Sequence, residues 1–155
     1  MTEAILQADL QRELLRLTAT FSTGDVTIND RSILDGANNS APYVVIDAAD
    51  TFRAELIQTE WNVTWTIPFM LVVKFIDWDT SRTALSAVRQ TVLTALMDIE
   101  HYHDSSALLS WGLQSINTET PIGEIYDRYL EEAVEALPVF LAQRITLQVL
   151  EIRRN

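Results

Sequence analysis

Residues 61–75 read WNVTWTIPFMLVVKF, and their alternation decides the fold. Trp61, Val63, Trp65, Ile67, Phe69, Leu71, Val73 and Phe75 fall on one side of an extended chain, with Asn62, Thr64, Thr66 and Lys74 on the other. A period of two is that of a strand with one face buried. Pro68 has no amide hydrogen, so the strand either bulges there or turns that position away from a partner. The period then changes: Leu85, Val88, Val92, Leu96 and Ile99 recur at the spacing of one helix face, with Asp79 as the expected N-cap. A long amphipathic strand feeding a packed helix puts a sheet against helices at the centre of the molecule.

Working outward, Thr2 to Phe21 reads as a helix with Leu6, Leu10, Leu14, Leu17 and Phe21 as its stripe. Ser22 to Ala41 is rich in turn formers (Gly24, Asn29, Asp30, Gly36, Asn38, Asn39) around a short strand at Val26–Ile28. Tyr43–Ile46 is a second short strand, and Thr51–Gln58 is expected to pair as an extended arm with the long strand Glu60–Ile76. His101–Ser106 reads as a loop and Leu109–Ile116 as a strand with Trp111 and Leu113 on one face. Thr120 is expected to cap a third helix with Pro121 at its first position, Ile122, Ile125, Tyr129 and Ala133 facing inward, and Pro138 ending it. Val139–Ile152 closes the chain as a strand with Ile145, Leu147 and Val149 on one side. This order predicts an α+β fold: a single domain over residues 1–155 with an antiparallel or mixed sheet and helices packed mainly on one face.

Composition narrows the function. The 155 residues carry 11 Lys and Arg against 22 Asp and Glu, a formal net charge of −11. Tight nucleic-acid binding needs basic side chains that displace counterions from phosphates, and no basic stripe is present beyond Arg153-Arg154. There is no cysteine, which excludes disulfides, thiolate metal sites and a thiol nucleophile. Met1–Leu10 has no basic leader segment, and the apolar run Phe69–Val73 is far short of the about 20 residues of a spanning helix. No membrane partner is expected.

Metal-ligating residue types cluster at Glu100, His101, His103 and Asp104, but structural zinc ligands come in paired spacings that this stretch lacks. It is expected to be a solvated loop. Asp77 and Asp79 bracket Trp78, and helix capping accounts for Asp79 while Asp77 closes the strand. Glu124, Asp127, Glu131, Glu132 and Glu135 read as a solvated acidic face opposed by Arg128. No G-x-S-x-G and no glycine-rich phosphate loop occurs, with four glycines in the whole chain. The expectation is a protein that is not an enzyme, with no catalytic, cofactor-binding or metal residues. Trp61, Trp65 and Trp111 are most simply core, although tryptophan also anchors protein interfaces.

The stretches ILQADLQRELLRLT (5–18), APYVVI (41–46), WNVTWTIPFMLVVKF (61–75), DWDTSRTALSAVRQTVLTAL (77–96) and LPVFLAQRITLQVLEI (137–152), in that order, resemble the tail terminator proteins of long-tailed bacteriophages, relatives of the tail-completion and head–tail joining proteins. The helix expected over Thr120–Leu137 is longer than the resemblance implies between the last two strands. The resemblance implies a small α+β subunit of the virion, assembled in the host cytoplasm as a ring, usually a hexamer, at the head-proximal end of the tail. Such a ring caps the tail tube, ends its polymerisation and joins it to the head connector, with no catalysis and no cofactor. Its implied partners are further copies of itself, the tube protein and a head-completion protein, with DNA passing through a lumen to which it does not bind specifically. Two surfaces are candidates for making the ring: the turn-rich arm with Asp30, Arg31, Asp35, Asn38 and Asn39, which is preferred, and the sheet edge near Trp61 and Trp65, whose tryptophans are expected to be needed in the core. Deleting Asp30–Asn39 is expected to leave a folded protein that assembles poorly. The alternative is a small soluble α+β binding module, monomer or dimer, for a peptide strand or an apolar ligand; a metal-dependent enzyme using Glu100, His101, His103 and Asp104 ranks behind both.

Overall fold

Two strands of equal length form the spine of the molecule. In the computed structural model, which describes residues 2–32, 42–57, 60–97, 100–104, 107–122 and 139–154, β4 (Glu60–Lys74) and β8 (Phe140–Arg154) run antiparallel in unbroken register from Glu60↔Arg154 to Lys74↔Phe140. Each edge of the spine is shared by two shorter strands in tandem. On the β4 side, β3 (Asp50–Ile57) covers Glu60–Thr66 and β2 (Tyr43–Ile46) covers Phe69–Val72. On the β8 side, β6 (Ala107–Ile116) covers Ile145–Arg153 and β7 (Thr120–Ile122) covers Phe140–Ala142. Outermost lie β1 (Val26–Ile28), parallel to β2, and β5 (Glu100–Asp104), antiparallel to β6. Among the described residues, eight strands make one mixed sheet, and with the two described helices the fold is α+β.

Helix α1 (Glu3–Leu15) buries Leu6, Leu10 and Leu14, and helix α2 (Trp78–Met97) buries Leu85, Val92 and Leu96. Both join one face of the sheet in a continuous core with Ile67, Phe69, Leu71, Ile145, Leu147 and Val149. At roughly 1.5–3 kcal/mol for each large apolar side chain fully buried, this layer is the main source of stability. The opposite face carries a smaller cluster of its own: Tyr43, Val45, Met70, Val72, Phe140 and Ala142, with Ile122 and Val139 against it. Every residue from Phe69 to Val73 is therefore buried, and the one-sided alternation expected of β4 holds only in its first half. The uninterrupted FMLVV run is the sequence mark of a strand covered on both faces.

Four further expectations are corrected. Helix α1 ends at Leu15, not Phe21; Thr18 and Thr20 are weak helix formers, and a turn closed by the Phe21 amide on the Leu17 carbonyl (2.9 Å) returns Phe21 to the same core. The cap of α2 is Asp77 rather than Asp79: its Oδ1 accepts the Thr80 amide (2.8 Å) and its Oδ2 the Thr80 hydroxyl (2.9 Å). Glu100–Asp104 is a strand and not a loop, because antiparallel pairing with β6 overrides its polar composition. Thr120–Ile122 is likewise a strand, so Thr120 caps no helix and Pro121 lies in an edge strand. Proline is at home in both settings for one reason, since neither a first helical residue nor an outward edge position uses its amide hydrogen. The remainder of the expected third helix, with Ile125, Tyr129, Ala133 and the acids from Glu124 to Glu135, lies outside the described residues.

Candidate interface

The tandem arrangement divides the sheet into two halves, and the halves treat their edges differently. In the half nearest α1, the order across the sheet is β1-β2-β4-β8-β7. Its β1 edge is closed by a side chain: Gln11 Nε2 donates to the Val26 carbonyl at 2.8 Å. At the other edge Ile122 and Thr120 stand opposite Phe140 and Ala142, and the Ile122 carbonyl accepts the Val139 amide (2.9 Å). Backbone groups of successive residues point to opposite sides, so the position that faces outward is Pro121, which has no donor to offer.

Pro68 is handled in the same half by α1. β4 shows no break in its β8 register at Pro68, so there is no bulge, and its backbone position faces the gap where β2 gives way to β3. The Asp47 amide donates to the Pro68 carbonyl (2.9 Å), but proline cannot return the bond. The Asp47 carbonyl is taken instead by Gln7 Nε2 at 2.8 Å, and the same nitrogen reaches Asn29 Oδ1 at 3.1 Å. Asn29 has φ 55°, a left-handed conformation that asparagine tolerates, and its amide donates to the Ile46 carbonyl (2.8 Å). A buried glutamine on a helix thus substitutes for the missing ladder donor of a proline in the central strand.

The other half is a five-strand layer, β3-β4-β8-β6-β5, with four residue rows in register across it. One runs Ala54–Val63–Glu151–Leu109–His101 and the next Leu56–Trp61–Arg153–Ala107–Asp104 but one. Among the described residues, β3 pairs only with β4 and β5 only with β6, and no proline occurs in either strand. Beside the β3 edge, at the end of the β3–β4 hairpin, sit Leu56 (52% exposed), Ile57 (50%) and Trp61 (40%). Exposed apolar side chains grouped at a strand edge that has no partner among the described residues make this rim a candidate surface for association.

Trp61 and Trp65, both expected at an interface, have different fates. Trp61 lies at this rim, whereas Trp65 is only 7% exposed and belongs to the core. Trp65 Nε1 donates to Glu151 Oε2 at 2.8 Å, and Glu151 is fully buried. Sequence reading passed over Glu151, although its signal is present: an acid in the apolar phase of Ile145, Leu147, Val149 and Glu151. In the arm, Asp30 and Arg31 are exposed; two Arg31 Nη2 contacts to the Asp47 carboxylate (3.2 Å each) tie its root to the end of β2. Hydrogen bonds from Ser32 hold the Asp30 carboxyl below its ordinary pKa. Asp35, Asn38 and Asn39 lie outside the described residues.

Elsewhere among the described residues the surface offers little chemistry. An open cleft of about 600 Å³ over α2 is lined by Arg82, Ser86, Arg89, Gln90 and Glu119 among others. Both its arginines are already engaged: Arg82 stacks on the Trp78 ring (4.8 Å) and pairs with Glu119 (3.3 Å), and Arg89 donates to Gln143 Oε1 (2.7 Å). On the sheet face away from the helices, Thr64, Ser110, Gly112, Gln148 and Leu150 line a hollow of about 300 Å³. Among the described residues no group of three or more His, Asp or Glu is arranged around a metal position; the side chains of Glu100, His101, His103 and Asp104 lie outside them. No described helix is long and apolar enough to cross a membrane. A scan of the chain against protein-family models finds no match, and a search of curated proteins finds none either.

Proposed function

We propose that this chain is a structural subunit that assembles into a closed ring and caps a tube, in the manner of the tail terminators of long-tailed phages. The observation that carries the reading is the division of the sheet into one half with closed edges and one half whose outer strands have no further partner among the described residues, with an apolar rim at Leu56, Ile57 and Trp61. A surface used head to tail generates a ring when the rotation between copies completes a circle. In this reading the ring is a hexamer at the head-proximal end of a virion tail, its partners are the tube protein below and a head-completion protein above, and no catalysis is involved. Six copies of a chain at −11 give an acidic wall along which DNA passes without adhering.

The rim provides the test. Leu56→Lys and Trp61→Lys place charge at positions already half in water, so the folded subunit is expected to keep its thermal midpoint within a few degrees. Sedimentation velocity at matched concentration is expected to show the assembled species depleted at least tenfold for the double variant. A wild-type chain that sediments as a monomer, or a double variant that assembles as well as wild type, would refute the reading.

A further inference from the structure

We propose that the cleft over α2 is a phosphate-binding site, with the Arg89 guanidinium as the group that receives the anion. The inference does not depend on the ring reading.

The sheet builds the position of Arg89. Its Nη1 donates to Gln143 Oε1 at 2.7 Å, and Gln143 is a buried residue of β8 (5% exposed). Gln143 in turn donates through Nε2 to the Asn117 carbonyl (2.8 Å), and the Asn117 amide donates to the Arg144 carbonyl (2.9 Å). This chain of bonds crosses the seam where β8 exchanges β6 for β7 as its neighbour. A side chain oriented by a buried partner gives up less freedom when it binds a ligand.

These bonds leave the charge of Arg89 intact. Both acceptors are neutral, Gln143 Oε1 and, more weakly, Ser86 Oγ at 3.4 Å, and they use two of the five guanidinium N–H groups. Arg82 differs: its charge is paired with Glu119 (3.3 Å) and its guanidinium lies over the Trp78 ring (4.8 Å). Arg82, Arg89 and Glu119 together leave the described lining of the cleft with one net positive charge. At physiological salt the Debye length is about 8 Å, so the −11 of the whole chain does not cancel that charge at contact.

Spacing on the helix completes the site. Arg82, Ser86 and Arg89 stand at i, i+4 and i+7, so they share one face of α2 along roughly 10 Å of its axis. A phosphate group presents three strong acceptor oxygens. It is therefore the oxyanion that takes up the remaining N–H groups of Arg89, the Ser86 hydroxyl and the Gln90 amide together. The open volume of about 600 Å³ leaves room for the ester side of a phosphomonoester as well as for the free ion.

The test is a titration of nitrogen-15-labelled full chain, in about 0.15 M salt, with inorganic phosphate, with phosphoserine and, as the carboxylate control, with acetate. Arginine Nε–H signals are followed by NMR, and that of Arg89 is assigned by its loss in Arg89→Gln. The Arg89 signal is expected to move and saturate with both phosphate compounds, whereas acetate binds far more weakly. Tighter binding of inorganic phosphate assigns the site to the free ion, and tighter binding of phosphoserine assigns it to a monoester. By calorimetry Arg89→Gln is expected to weaken phosphate binding at least about tenfold, since a hydrogen bond to a charged group is worth that much. Arg144→Gln removes the same charge from an exposed residue on the sheet face away from α2 and is expected to leave the affinity within about twofold. An Arg89 signal that does not move at millimolar phosphate would overturn the site, and this reading on the unmodified chain holds even where Arg89→Gln fails to fold. Acetate binding as tightly as phosphate would overturn phosphate as the ligand. Equal losses in the two arginine variants would overturn Arg89 as the anchor.

Discussion

Replacing Gln7 by methionine removes the donor that serves the Asp47 carbonyl while keeping a side chain of similar length. Two hydrogen bonds disappear, at 2.8 Å to Asp47 and 3.1 Å to Asn29. Each is worth about 0.5–1.5 kcal/mol, and a carbonyl left without a partner adds part of a desolvation cost of about 1–3 kcal/mol. The expected loss is therefore about 2–3 kcal/mol, read as a lowered urea midpoint at unchanged m-value and fixed protein concentration. The Asp47 carbonyl needs Gln7 because position 68 has no amide hydrogen. Pro68→Ala restores one that faces that carbonyl, so in this background Gln7→Met is expected to cost about 1 kcal/mol, the Asn29 bond alone. The double-mutant cycle should show a coupling of about 1–2 kcal/mol. Equal costs in the two backgrounds, to within about 0.3 kcal/mol, would refute the reasoning.

Two further outcomes follow from buried and capping groups. Trp65→Phe takes the Nε1 donor from the buried Glu151 carboxyl and is expected to cost at least about 1.5–3 kcal/mol in urea unfolding; a loss below about 0.5 kcal/mol would count against that bond. Bonds from the Thr80 amide and hydroxyl hold the Asp77 carboxyl below its ordinary value of 3.8. Because the folded value is the lower one, the stabilisation is complete above about pH 3.8 and is lost as pH falls through the folded value. Asp77→Asn keeps a capping oxygen but cannot titrate, so its thermal midpoint should fall less steeply than wild type between about pH 4 and 2. Parallel curves would contradict the assignment of Asp77 as the cap.

The spine of the fold was legible because its pattern is long. Fifteen residues of β4 and fifteen of β8 repeat one alternation, and α2 keeps one helical stripe over twenty, so local noise averages out. β1 and β2 were legible from turn residues on either side, and β3 from its position before a long strand. Short elements failed where one residue serves two structures. Thr120-Pro121 satisfies a helix start and an edge strand alike, and Glu100–Asp104 is too short and polar to announce a strand that exists through β6. Asp77 and Asp79 are equivalent caps by composition, and only the chain's exit from β4 selects Asp77.

The candidate interface was partly legible. Trp61 stood out by residue type, but Trp65 did too; the two share one phase of the alternation, two repeats apart, and differ in burial, 40% against 7% exposed. Which edges are closed could not be read from composition. Gln11 and Gln7 look like ordinary solvated helix residues until the Val26 and Asp47 carbonyls lie beneath them.

Native mass by light scattering over a concentration series, with negative-stain images of the same samples, tests the central claim most directly. The account predicts closed rings of about six subunits with two dissimilar faces. A particle of one or two subunits at every concentration would contradict it.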